Sequence, residues 1–513
     1  MSVAVALLFD YALSCLLYAR PPGSDSAWLL YVADRVLAGA RLYSPSTTET
    51  NPPLIVWLSV IPDLLARWLP FSPLLILKIL VAAMVCAGAA WCARILYAAK
   101  LAASPLLLGL SFCAVAAVEV SRDLLGYGQF GQREQLVVIL VLPYLIYAAC
   151  GSKLKLGLAK RIALGVAAGC GICVKPQQIL LLAAAELLLL LWTRDLHRLK
   201  RAEPFATALT VCAYVLAVAL ATSYYSQMVP LLKDTYWAYA DTSKLVLLRS
   251  VLLDWRVWLT LVIWLGVGRY LKHPAAPLAL LAAGLGAGLA YCIQGTAWAY
   301  HLFPSEALLY CALGWMALDL LSTVAEPTAP RTLVFAGLAL VLVAVSLPAF
   351  HARERRQLLL AEKYRSPLSY SLAQYPPQTP VYVFSTSLGE FTDIFQNRLV
   401  WGSRYAHLWL LPAIVENERA LSGGAPARKT LPPVRVRELA VMQRSNASED
   451  LRRWKPRFVI VEYCSPAVPC QALGAMSFDL LQWFLESRSF AAEWSHYRLQ
   501  FSGRFFDVYQ RIP

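Results

Sequence analysis

Charge is what this sequence has least of. Only 15% of its 513 residues are Asp, Glu, Lys or Arg, whereas a soluble protein of this length carries about a quarter. That shortage, with 59% hydrophobic residues and a mean hydropathy of +0.55, excludes an ordinary soluble enzyme. Other signals are missing too. There is no glycine-rich phosphate loop and no recognisable catalytic triad. The six His are scattered, and Cys170-Gly-Ile-Cys173 lies inside an apolar run, so no metal-ligand spacing is present. The N-terminal segment lacks a basic flank and a small-residue cleavage site, so residues 2–19 read as a retained first span.

What the sequence does have is a succession of apolar runs long enough to cross a bilayer, from the N-terminus to about residue 350. The net charge of +15 follows topology. Lys153, Lys155, Lys160 and Arg161 share one short loop, and Arg194, Arg198, Lys200 and Arg201 share another. Basic clusters between apolar spans mark cytoplasmic loops, which argues against a nucleic-acid partner. Ten of the 12 cysteines lie in or beside apolar runs, as small hydrophobes do. Cys464 and Cys470 stand apart in a polar region, where an oxidising compartment would allow a disulfide.

Taken in order, the runs predict about eleven crossings, with every strongly basic loop inside. Residues 2–19 leave the cytoplasm, and 20–53 form an external loop with a surface helix over Ser26 to Leu37. Residues 54–70, interrupted by Pro62 and Pro70, return along the interface. Crossings follow at about 73–97, 104–120, 135–150, 162–175, 177–193, 206–222, 251–268, 276–293, 302–322 and 332–350. Beyond residue 350 the composition turns polar, and PVYVFST, RFVIVEY and RFFDVYQRI read as strands. The expected architecture is an α-helical polytopic membrane domain over 1–350, followed by an extracytoplasmic α/β domain over 351–513.

Ionisable residues are costly near hydrocarbon, so those gathered at external span ends are candidates for function. They are Asp25 after the first span, then Arg122, Asp123, Arg133 and Glu134 around the second external loop, Lys175-Pro176 at a turn, and Tyr300-His301 before a later span. One acid among several cations at headgroup level suits a polyprenyl-phosphate sugar. Cations clamp the phosphate through charge-assisted hydrogen bonds and stabilise the charge that builds on it as the sugar leaves. A carboxylate takes the proton of the attacking acceptor. One base suffices, because phosphate leaves without a proton, and the expected outcome is inversion.

These residues resemble the lipid-linked-sugar glycosyltransferases of the GT-C fold, in the branch that contains protein O-mannosyltransferases and the aminoarabinose transferase of lipid A. Asp25, Gly39, Arg41-Leu-Tyr43 and Asn51-Pro-Pro-Leu54 follow that branch's order, as do Glu134, Lys175-Pro176 and Tyr300-His-Leu-Phe-Pro304. Two positions depart from it: Ser26 follows Asp25 where the family has Glu, and Glu134 stands for the usual Asp.

The resemblance implies Asp25 as general base and Glu134 orienting the acceptor or acting as the second acid. It implies Arg133, Lys175 and His301 at the donor phosphate, with Tyr300, Glu49 and Asn51 at the substrate. The donor would be a polyprenyl-phosphate sugar, and the acceptor an extracytoplasmic glycan, lipid or protein. Some relatives use a divalent ion, and Asp25, Glu49 and Glu134 leave that open without defining ligands.

Plainer readings stand beside these. Asp25, Ser24 or Ser26 could cap the surface helix, Arg133 and Glu134 could pair with each other, and Lys175 could snorkel. The aromatic run from Tyr224 to Tyr239 reads as an interfacial belt. Rival functions are a ligase for larger lipid-linked glycans, a transporter or flippase, and an envelope scaffold. No inverted repeat or matched mid-span carboxylates support transport.

Overall fold

The computed structural model describes residues 23–44, 46–120, 129–151, 154, 156–324, 367–474 and 476–512. The expected crossings at 2–19 and 332–350 lie outside them, as do Arg122, Asp123, Lys153 and Lys155. The described residues form two compact units: one from 65–217 and 242–324, the other from 23–64, 218–241 and 367–512. The second unit therefore joins segments from three separate stretches of sequence, including the external loop after the first span.

The first unit is helical. Five helices are long and apolar enough to cross a membrane: Pro73–Ala98, Arg133–Cys150, Pro176–Thr193, Ala202–Ala221 and Ala275–Gln294. Pro105–Val120, Leu158–Val174, Trp255–Val267 and Phe303–Val324 occupy the other expected positions between residues 100 and 324. Small residues bring these helices together, as they do where lipid removes the hydrophobic drive to associate. A Cβ on Gly286 would lie 2.4 Å from the Leu180 carbonyl oxygen, and one on Gly165 2.3 Å from that of Glu203. At the basic loops Arg161 pairs with Glu203 at 2.5 Å and Arg201 with Glu186 at 2.5 Å.

The second unit is built on a five-stranded sheet in the order β2-β1-β3-β5-β4. β1 (Pro380–Phe384) runs parallel to β2 (Val400–Trp401) and β3 (Phe458–Glu462). β5 (Phe506–Arg511) lies antiparallel between β3 and β4 (Tyr497–Ser502). The parallel pairs need crossovers; Phe391–Gln396 supplies one, and Leu411–Leu421 with Pro433–Trp454 the other. Phe384, Phe484, Phe490 and Trp494 form the aromatic core, with ring centroids 4.9–5.7 Å apart along the series. All three predicted strands are present. Asn446 sits inside Pro433–Trp454, bonded to Arg404 at 2.9 Å and Tyr405 at 2.5 Å. Cys464 and Cys470 form a disulfide.

Within residues 54–70, expected to return along the interface, the 13-residue helix Leu54–Ala66 forms with Pro62 inside it. Of the aromatic run, Tyr224 and Tyr239 are buried, whereas Tyr225 is exposed. Tyr239 is buried and its hydroxyl donates to the Thr386 carbonyl at 2.7 Å, and the Tyr224 ring packs 5.1 Å from that of Tyr43. These side chains are core of the second unit, where a hydroxyl that finds a backbone acceptor can be buried at little cost.

Candidate functional site

In the helical unit, Lys175 ends the helix Leu158–Val174. Pro176 cannot continue it, because the ring removes the N–H and clashes with the preceding turn. The break turns Lys175 inward, with 2% of its side chain exposed. Glu134 stands in the first turn of Arg133–Cys150, where the helix dipole favours a carboxylate. Lys175 Nζ donates to Glu134 Oε1, and His301 Nε2 lies 3.5 Å from the same oxygen. Glu134 is fully buried, and its second oxygen, Oε2, meets no hydrogen-bond partner.

His301 comes from the short turn Ala299–Leu302, ahead of Phe303–Val324. Its Nδ1 lies 2.9 Å from Thr296 Oγ1, and the Tyr300 ring meets its edge at 4.4 Å. Burial pushes the imidazole well below its ordinary range, and Lys175 and Arg133 push it the same way. His301 is therefore neutral at physiological pH. Lys175 pairs with Glu134 and the Arg133 charge acts on His301, so two cations stand against one carboxylate, a formal net charge of one positive. Gln178, three residues past Lys175, is also fully buried, and neither amide atom has a partner. Buried polar atoms left without partners are costly, so this group is built to receive something polar.

In the second unit, Asp25 lies in the first turn of the helix Ser24–Leu37. The helix begins after Gly23, with no side-chain cap, so neither Asp25 nor its neighbours serve as the N-cap. The helix is fastened to the α/β region on both sides of Asp25. Ser24 Oγ donates to the Gly389 carbonyl at 3.0 Å, and the Trp28 ring meets Phe391 edge-on at 5.0 Å. Further along, Arg35 donates to the carbonyls of Trp401 at 2.9 Å and Ser403 at 3.1 Å. Glu49, 1% exposed, accepts from Trp28 Nε1 on one oxygen. Its other oxygen accepts from the backbone and side-chain nitrogens of Asn51, at 2.8 and 2.6 Å. Glu49 and Asn51 thus hold the loop's shape and fix Trp28.

Each unit brings together its own share of the expected residues: Glu134, Lys175, Tyr300, His301 and Arg133 in one, and Asp25, Glu49 and Asn51 in the other. Glu134, expected to orient an acceptor or act as the second acid, is joined to Lys175. Among the described residues no group of three or more His, Cys, Asp or Glu side chains is placed to hold a metal ion. Sequence reasoning missed Gln178, whose proximity to Lys175-Pro176 was a usable signal. It also missed His407, a residue near Asp25 that no local motif marks; Asp25 draws its pKa upward while burial pushes it down to about 4.

No family model and no curated protein matches the sequence. Among solved structures the chain is similar to the crystal structure of ArnT from Cupriavidus metallidurans bound to undecaprenyl phosphate. The identity is 12% and the TM-score 0.48, over 98% of this chain and 97% of that one. It is also similar to the cryo-EM structure of the arabinofuranosyltransferase AftD from Mycobacteria. There the identity is 14% and the TM-score 0.46, over 100% of this chain but only 40% of that one. Likenesses at these scores assign no residue a role.

Proposed function

We propose that this chain is a membrane glycosyltransferase that moves a single sugar from a polyprenyl-phosphate donor to an extracytoplasmic acceptor. The observation that carries the reading is the buried group Glu134–Lys175–His301 with Arg133 adjoining. Its single net positive charge matches the one negative charge of a sugar phosphodiester. The buried Lys175 and the half-buried Arg133 can then stabilise the second charge that appears as the phosphate leaves. Glu134 holds Lys175 in place, and the neutral His301 and Gln178 offer hydrogen bonds without adding charge.

Asp25 is the proposed base. It takes the proton of the attacking acceptor, with inversion at the anomeric carbon. The Cys464–Cys470 disulfide supports an extracytoplasmic position for the α/β region, because such bonds persist in oxidising compartments.

The test is turnover by purified protein with a panel of radiolabelled polyprenyl-phosphate sugars, wild type beside Asp25→Asn, with and without chelator. Polyprenyl phosphate released by wild type and not by Asp25→Asn supports the reading. No donor consumed, or equal turnover by the two proteins, overturns it.

A further inference from the structure

His407 lies on the loop after β2, where nothing in the sequence signals chemistry. Its position is well defined. The next residue, Leu408, donates its backbone N–H to the Ser385 carbonyl at 2.8 Å, tying the loop to the end of β1. The His407 ring meets the edge of Tyr239 at 5.7 Å, and Tyr239 is itself held by Thr386 and stacked on Tyr236 at 5.4 Å. Its Nδ1 is buried and meets no hydrogen-bond partner. Asp25 is near enough for its charge to act on the imidazole, although burial keeps the ring neutral at physiological pH. A neutral histidine beside a carboxylate, with a nitrogen that nothing satisfies, is a ready hydrogen-bonding position for a ligand.

We propose that His407 and Asp25 together form the subsite for a hydroxyl-bearing acceptor, in which His407 hydrogen-bonds the hydroxyl group and Asp25 takes its proton. The inference rests on the glycosyltransferase reading and adds the acceptor's chemical class. As the acceptor oxygen attacks the anomeric carbon, its O–H bond breaks and the proton passes to the Asp25 carboxylate. The bond from the anomeric carbon to the phosphate oxygen breaks, and its electron pair leaves on polyprenyl phosphate.

The charge of the surroundings excludes an anionic nucleophile such as a phosphate monoester. A neutral imidazole offers it no cation, and Asp25 would repel it. A neutral hydroxyl has both a proton to give and a lone pair to accept, so it can pair with the two groups at once.

The experiment uses the full chain, the radiolabelled donors above, and two sets of acceptor probes: octyl glycosides with free hydroxyls, and the same glycosides carrying a phosphate monoester. Wild type is expected to glycosylate the first set in preference to the second. His407→Phe is expected to lower kcat/KM for the glycoside about ten- to a hundredfold, mainly through KM, the scale of one lost hydrogen bond in a buried site. His407→Gln, which keeps a hydrogen-bonding amide, should recover part of the loss and guards against a Phe variant that fails to fold.

Preference for the phosphorylated acceptor overturns the inference, as does equal KM in the wild type and both His407 variants. Donor hydrolysis with no glycoside accepted also overturns it, while leaving the donor chemistry standing. If no donor releases polyprenyl phosphate, the glycosyltransferase reading falls and this inference with it.

Discussion

Lys175 and Glu134 form an ion pair with side chains 2% and 0% exposed, joining a helix break at Pro176 to the first turn of Arg133–Cys150. A buried pair costs much of what it gains in desolvation, but breaking it leaves one charge stranded, a loss of about 3–5 kcal/mol. Either Lys175→Met or Glu134→Gln alone should therefore lower the melting temperature in a fixed detergent by several degrees. The double variant should recover most of that loss, because no buried charge is left without its partner. Donor turnover should not recover, since the proposed role belongs to the Lys175 charge itself. A double variant as unstable as the single ones would show that the pair does not act as a unit.

The helical unit makes a prediction that needs no charge. Gly286 faces the backbone of the helix Ile179–Thr193, and an added Cβ would sit 2.4 Å from the Leu180 carbonyl oxygen and 3.0 Å from Ala184 Cβ. Backbone cannot step aside as a side chain can, so Gly286→Ala should destabilise by about 1–3 kcal/mol through overpacking. Gly314, in the helix Phe303–Val324, has nothing within 4 Å of the same added atom. Gly314→Ala should be neutral or stabilising by up to about 1 kcal/mol, because alanine is the better helix former. Thermal unfolding of the two variants side by side checks the contrast, and equal losses would contradict it.

Local chemistry explains what could be read in advance. Pro176 after Lys175 announces a helix break, and the apolar, β-branched run from Val381 to Phe384 announces a strand; both are set by residues next to one another in sequence. The placement of Ser24–Leu37 was not legible in the same way. Its pattern gives an apolar face, but a face does not name its partner. Here Trp28 meets Phe391 and Arg35 reaches the carbonyls of Trp401 and Ser403, far along the chain. His407 was illegible for the same reason: its importance comes from Asp25 and Tyr239, brought to it by folding alone. Glu134 could be singled out in the sequence as a candidate, but its pairing with Lys175 across the helix bundle could not.

The Cys464–Cys470 disulfide closes a short loop, with a sequence separation of 6. Chain-entropy arguments put the stabilisation from so small a loop at about 2 kcal/mol. Cys470 lines the same cavity as Glu390 and Glu462, so the bond also shapes that surface. Mild reductant should lower the melting temperature of wild type by a few degrees and leave Cys464→Ser/Cys470→Ser unchanged. The double variant should melt close to reduced wild type. A reductant effect that survives in the variant would place the sensitivity elsewhere.

Glu390 gives the α/β region a pH dependence with a definite sign. Burial, helped by the charge of Glu462, pushes its carboxyl up to about 8 from an ordinary 4.5. Glu462 is itself raised, by burial. The folded state therefore holds the Glu390 proton more tightly than the unfolded chain does. The resulting stability is fully present below the ordinary carboxylate value and is lost as pH rises through about 8. Wild type should melt at a lower temperature at pH 9 than at pH 6. Glu390→Gln, which keeps the shape and removes the titration, should flatten that difference. Since about 1 kcal/mol moves the midpoint of a region this size by roughly 2–4 °C, the change is measurable. A wild-type melting temperature that rises over this interval, or a Gln variant with an unaltered slope, would mean that Glu390 is already ionised in the folded protein.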